Sequence, residues 1–332
     1  MLQSLLAESR GGLLLRLRLA EAFVASCAAE RALSVARETA HLYPDAAAAA
    51  LSLAGALRAV GNLPAAIAEY QRALRCDPGL EEARIGLGAA WLDAGEAGKA
   101  LEAWQGCDNN PVLARRIAEA QAVLMQPRSD ARYVRHLFDQ FAADYDSRML
   151  GQLHYRAPSV ISALAEMLGL WARAPLAICD LGCGTGLMGE ALRAHASQLD
   201  GVDLSPRMLD EARARGIYDQ LVCADIAECL AQQERAYDLV TAADTLVYLG
   251  DLAPLFVAVA VRLAPHGHFL FTVESVAGRG FALGPKRRWR HSETYLRSVA
   301  AMAGLGIAGL MACSPRDEAG KAVEGFAVAL SR

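Results

Sequence analysis

The sequence predicts an all-α repeat domain followed by an α/β domain with a mainly parallel sheet. Two observations carry this. Within the first 126 residues, like residues recur at intervals of thirty-four: Pro44 with Pro78, Ala20 with Ala54 and Gly88, Ala32 with Ala66 and Ala100, and Ala36 with Tyr70 and Trp104. Small residues at fixed places in a repeat let two helices approach closely, and large ones fill the gaps between pairs. Further on, an apolar run from Pro175 to Leu181 breaks into glycines at 182, 184 and 186, and helix-favouring residues follow. That is a buried strand, a turn too tight for side chains, and a helix start.

The repeats divide into helix pairs at about 13–46, 47–80 and 81–114, with a capping helix from Val112 to Met125. They are irregular: Ala36 is small where Tyr70 and Trp104 are large, and Pro111 comes one residue early. Gln126-Pro127-Arg128-Ser129-Asp130 reads as a linker, with Asp130 able to cap the next helix. On that helix Phe138, Phe141 and Tyr145 share one face. Four more strands are expected at 199–202, 221–224, 236–242 and 269–273, before a terminal hairpin over 307–313 and 323–330. Asp203 ends the second strand, where an acid can take both ribose hydroxyls of an adenosine-type ligand. Ser205-Pro206 is a cap with proline at the first helical position. The G-x-G-x-G spacing departs from the dinucleotide pattern because Leu187 stands where a third glycine would fall.

The 332 residues carry a net charge of −4, which argues against a general nucleic-acid binder. No apolar run approaches a membrane span. The eight cysteines are scattered without a C-x-x-C pair, so no metal site is expected and a reduced, cytoplasmic protein is the simplest account.

Four motifs in order, D-L-G-C-G-T-G at 180–186, G-V-D-L-S at 201–205, C-A-D-I at 223–226 and Y-D-L-V at 237–240, resemble the Rossmann-like S-adenosylmethionine (SAM) methyltransferases. The thirty-four-residue period resembles tetratricopeptide repeats, so the chain is similar to repeat-containing bacterial enzymes of this kind. The resemblance implies a seven-stranded sheet ending in an antiparallel hairpin. It implies SAM as cofactor, S-adenosylhomocysteine as product, and cofactor contacts from Asp180, Gly182, Cys183, Gly184 and Gly186. Asp203 and Leu204, Asp225 at the adenine amino group, Ile226 stacking on the ring, and Ala242 complete the expected pocket.

F-D-x-F-A-x-x-Y-D at 138–146 resembles the lid helix of small-molecule and carboxyl methyltransferases, which implies that Tyr145, with Tyr133, faces the reactive sulfonium; the alternative is that the aromatic face is plain core packing. By the same resemblance Arg156 pairs with the methionine carboxylate, or is a plain surface arginine. Asp244 faces the acceptor or caps the next helix. His291, in an R-x-x-H-S match, is the general base, or a capping or carbonyl-bonded histidine. The basic run Lys286-Arg287-Arg288-Trp289-Arg290 is either solvated or attracts an anionic acceptor.

The leading functional expectation is methylation of a peptide, protein or carrier-bound acceptor docked in the repeat groove. The alternatives are a small-molecule methyltransferase whose repeats serve dimerisation or lid support, and a non-catalytic adaptor that keeps the fold. Base-flipping amino-methylation is disfavoured, because Ala242-Ala243-Asp244-Thr245 lacks the N/D-P-P-Y/F pattern.

Overall fold

A computed structural model describes residues 12–107 and 111–332. The chain forms two compact units, Met1–Gln126 and Pro127–Arg332.

The first unit is a row of helix pairs. First helices begin at Leu13, Ala47 and Glu81, and second helices at Ala29, Leu63 and Ala97, so both sets step by thirty-four residues. The helix that follows is Pro111–Met125. Ala32, Ala66 and Ala100 are fully buried where paired helices touch. The Tyr70 ring lies over Gly86, and the Trp104 ring over Gly88. A Cβ at Gly88 would come within 2.2 Å of Trp104 Nε1, which donates to the Ile85 carbonyl at 3.1 Å. Small residues at 86 and 88 are therefore complements of the aromatics at 70 and 104. Arg58 adds a 2.6 Å ion pair with Asp93 between successive repeats.

The second unit is built on a nine-stranded sheet. Its main path is β3 (Gln220–Cys223), β2 (Ala196–Asp203), β1 (Leu176–Leu181), β4 (Tyr237–Ala242), β5 (Leu263–Ser275), β11 (Gly325–Ser331) and β8 (Gly306–Cys313). β3 to β5 are parallel along this path, and β11 runs antiparallel between β5 and β8. β9 (Asp317–Glu318) and β10 (Lys321–Ala322) form a separate two-stranded ribbon. Strand alternation sorts side chains to opposite faces. Cys179 and Leu181 of β1 join Phe269 and Phe271 of β5 in one core, whereas Ile178 and Leu270 join Ile161 and Leu164 in another. Burial on both faces is what a parallel sheet requires.

Three expectations change. The sheet exceeds seven strands because the basic segment after β5 is paired: β6 (Phe281–Leu283) lies antiparallel to β7 (Trp289–His291), and β7 extends β5. The fifth strand, expected at 269–273, is longer and takes in Pro265–His268. The linker is also structured. Ser129 N–H donates to the Tyr248 carbonyl at 2.8 Å, and Gly250 and Asp251 N–H groups donate to the Pro127 carbonyl. Among the described residues no helix is long and apolar enough to cross a membrane.

Because the Trp104 ring already fills the space beside Gly88, Gly88→Ala overpacks the repeat. It should lower unfolding free energy by about 1–3 kcal/mol, read as a lower guanidinium midpoint.

Candidate active site

Strand order reverses between β1 and β4, and the crevice outside the carboxyl ends of such strands is where ligands bind in open α/β sheets. The glycine turn lies there. Gly182 has φ +68°, and a Cβ on it would fall 2.3 Å from Thr245 Oγ1. Gly182 and Cys183 N–H groups donate to the Val202 carbonyl at 2.7 and 3.1 Å, tying the turn to β2.

Asp203 completes the junction. Its Oδ2 accepts the Gly184 N–H at 2.9 Å and its Oδ1 the Ser205 N–H at 2.8 Å. Burial pushes this carboxyl up to about 6, against the lowering effect of the two N–H donors. Each oxygen keeps a second acceptor site. Gly182, Asp203, Leu204, Asp225 and Ile226 line one small cleft, which Arg128, Thr245 and Tyr248 complete.

Other expected contacts lie elsewhere. Asp180 is buried beneath the turn, accepting from Tyr218 at 2.7 Å and Thr241 at 2.9 Å. Burial raises its carboxyl to about 6. It supports the turn and does not line the cleft. The buried Cys183 side chain faces Gly201, so a Cβ there would meet its sulfur at 2.9 Å. Gly186 caps the helix Leu187–Leu192 and sits against Arg215 and Tyr218. Ala242 is fully enclosed in the sheet core. Asp225 lines the cleft, but its Oδ1 caps the helix Ile226–Gln232 and its Oδ2 pairs with Arg128. Arg156 pairs with Asp317 at 2.5 Å and donates to Ser314, so its charge is committed to the polar turn after β8.

A second cavity of about 320 Å³ adjoins the first through Tyr248, which lines both. Its wall is aromatic: Tyr133, Phe138, Phe141 and Tyr145 come from the segment following the linker. Phe138 meets Tyr145 and Tyr248 edge-on, at 6.0 and 5.6 Å between centroids. Tyr133 thus belongs to this cavity and not to the cleft. The segment is fastened down beside the glycine turn. Ser205 donates to Asp139 at 2.6 Å, Thr185 donates to Asp146 at 2.5 Å, and Arg215 pairs with Asp146.

None of the three expected catalytic side chains is a free base. His291 is fully buried at the end of β7, with Nε2–H donating to the Gly250 carbonyl at 3.0 Å. Burial lowers its pKa to about 4, so it stays neutral. The carbonyl-bonded alternative describes it, and the base role is withdrawn because no acceptor reaches a ring with no exposed surface. Asp244 adopts φ +57° and pairs with Arg316, itself 1% exposed and also paired with Glu274. Burial raises the Asp244 carboxyl to about 6. Burial, reinforced by Asp244, pushes the Tyr145 phenol well above its ordinary range, so it is a neutral donor. Sequence reasoning passed over Thr245, Arg128 and Arg316, because none stands in a motif and each acts across a long sequence separation.

Residues 178–267 match the family model described as a methyltransferase domain. Methyltransferase-like protein 27 of Homo sapiens is 41% identical over 108 residues, 32% of this chain and 43% of that protein. Ubiquinone biosynthesis O-methyltransferase of Coxiella burnetii (strain Dugway 5J108-111) is 31% identical over 99 residues, 29% of this chain and 42% of that one. The chain thus spans less than half the length of either relative. A solved structure, magnesium protoporphyrin IX methyltransferase from Synechocystis PCC 6803 with bound SAM, aligns with a TM-score of 0.48 at 20% identity, covering 61% of this chain and 96% of that one. The family match thus lies within the second unit, on the strands and turns that carry the glycine turn and Asp203.

Since His291 ties β7 to the rim at Gly250, His291→Ala should cost about 1–3 kcal/mol of stability, the penalty for orphaning a buried carbonyl. Under conditions where the variant stays folded, the pH–rate profile should keep its shape. A shifted profile would return the base role to this residue.

Proposed function

We propose that the chain is a SAM-dependent methyltransferase whose acceptor group enters the aromatic cavity beside the cofactor cleft. One observation carries the proposal: the positive-φ glycine turn and the Asp203 carboxylate meet in one cleft, and that cleft shares Tyr248 with the cavity.

The residues suit the cofactor. The bare Gly182 backbone leaves room for a ligand, Asp203 keeps acceptor capacity for two hydroxyls, and Ile226 and Leu204 offer apolar contact. When bound, SAM supplies the methyl group as an electrophile. The protein's part is then alignment and exclusion of water. Asp203 and Asp225 hold polar groups, Tyr145 and Tyr248 present neutral phenols toward the acceptor, and Phe138 and Phe141 keep water from the junction. With Asp244 paired to Arg316 and His291 enclosed, the site suits an acceptor that arrives ionised or loses its proton to solvent. The name of the Coxiella burnetii relative includes O-methyltransferase, and we extend an oxygen acceptor to this chain on the same reading.

A second reading concerns the first unit. Its helix starts at thirty-four-residue intervals support tetratricopeptide repeats that dock a peptide, protein or carrier bearing the acceptor group. The cavity volume of 320 Å³ favours a small acceptor or a small tethered group at the point of transfer. A homodimer through the repeats belongs instead to the small-molecule alternative, and a cytoplasmic location to either reading.

Calorimetric titration should give micromolar binding of both SAM and S-adenosylhomocysteine. Asp203→Ala should weaken SAM at least tenfold, about 1.4 kcal/mol or more. Unchanged affinity in that variant would defeat the cofactor assignment.

The Asp203 carboxyl, raised to about 6 by burial, also sets a pH dependence. Ribose hydroxyls donate to the ionised form, so affinity should be flat above neutrality and fall as the pH drops through 6. The fall approaches tenfold per unit, the linkage limit for one proton. Titrations at descending pH test this, and Asp203→Asn should flatten the profile.

A further inference from the structure

We propose that the aromatic cavity takes an acceptor with an apolar, flat body and one oxyanionic group, read by Arg148, Lys286 and Arg288. This rests on the methyltransferase reading and gives its acceptor a chemical class.

Three cations, Arg148, Lys286 and Arg288, line the cavity against a single carboxylate, Glu318. Behind them Arg290 and Arg316 face Glu274 and Asp244, two charges of each sign. Arg287 lies 4.2 Å from the centroid of the Tyr133 ring. The lining therefore carries a surplus of two positive charges that the layer beneath leaves standing.

The partners of these cations point the same way. Glu318 is committed to Lys286 at 2.6 Å. Arg288 stands 3.7 and 3.8 Å from Glu274 and Glu318, beyond hydrogen-bond reach, and its buried Nη1 has no hydrogen-bond partner. A desolvated guanidinium donor without an acceptor is costly, and an oxyanion satisfies it with a charge-assisted bond. Arg148 stacks on Phe141 at 4.2 Å, leaving its N–H edges available.

Backbone geometry supports a built arrangement. Lys286 and Arg287 are consecutive non-glycine residues at φ +57° and +58°. Such conformations cost free energy and persist only where the surroundings impose them. Here pairing of β6 with β7, and of β7 with β5, imposes the turn that carries Lys286 to the cavity. The opposite wall is aromatic, so one end of the cavity reads charge and the other reads a flat apolar surface.

The test is calorimetry on the full chain, with and without S-adenosylhomocysteine, using 1-naphthoate, 1-naphthyl phosphate and the neutral 1-naphthalenemethanol. At least one anion should bind ten times more tightly than the alcohol, and the preference should shrink as salt rises. The anion that binds more tightly assigns a carboxylate or a phosphate. Arg148→Met with Lys286→Met, both exposed side chains, should reduce the preference to within twofold while S-adenosylhomocysteine affinity stays put. Arg288→Met is the second variant, with the same affinity reporting that it folds. Equal binding of anions and alcohol, binding of neither anion, or a preference that survives both variants would overturn the proposal. Loss of S-adenosylhomocysteine binding by the unaltered chain would defeat the methyltransferase reading instead, and the anion preference would still be measured without it.

Discussion

The second unit depends on how one carboxylate is shared. Asp203 holds the Gly184 N–H with one oxygen and the Ser205 N–H with the other, so a single side chain fixes the glycine turn after β1 and the helix start after β2. Asp180 does the complementary work from below, through Tyr218 and Thr241. Two carboxylates are thereby withdrawn from water in one small volume, which is expensive unless each is hydrogen-bonded. Burial lifts both to about 6, and the donors around them oppose a larger rise. A ligand hydroxyl donating to Asp203 would add to the same opposition, so the cost of holding the turn is also a store of affinity for a polar ligand.

Arg316 plays the corresponding part beside the aromatic cavity. It leaves the C-terminal end of β8, is 1% exposed, and joins Asp244 after β4 to Glu274 near the end of β5. A buried ion cluster of this kind is weak evidence for stability, since desolvation offsets attraction. Its geometric effect is plainer. It fixes Asp244 at a positive φ, and it brings the polar turn carrying Asp317 and Glu318 against the cavity. The terminal hairpin thus does more than complete the sheet, because it supplies the anionic counterweight among the cavity's cations.

The parts legible in the sequence were those encoded by local pattern. The thirty-four-residue period appears directly in the helix starts, because each repeat must bury the same small positions against its neighbours. The order of β1 to β5 followed from apolar runs punctuated by glycine and aspartate. What escaped was set by partners distant in sequence. His291 resembled a base by its neighbours, yet β7 pairing with β5 buries it against Gly250, forty-one residues away. Within the basic run from 286 to 290, Trp289 and Arg290 join β7; the cations around them carry no strand signal, and tertiary pairing supplies it. Arg156 presents a similar case: nothing nearby announces Asp317, which claims its charge.

The same distinction separates the two halves of the site. Most of the cleft uses backbone and short side chains fixed by consecutive turns and written in contiguous motifs, with Arg128 and Tyr248 added from outside them. The aromatic cavity is assembled from the segment after residue 130, the rim after β4, the turn between β6 and β7, and the hairpin at the chain's end. Of these four stretches only the rim, through Tyr248, also lines the cleft. On the function we propose, acceptor choice is a property of tertiary assembly, and the charge and shape of the finished cavity carry more information about it than any single motif.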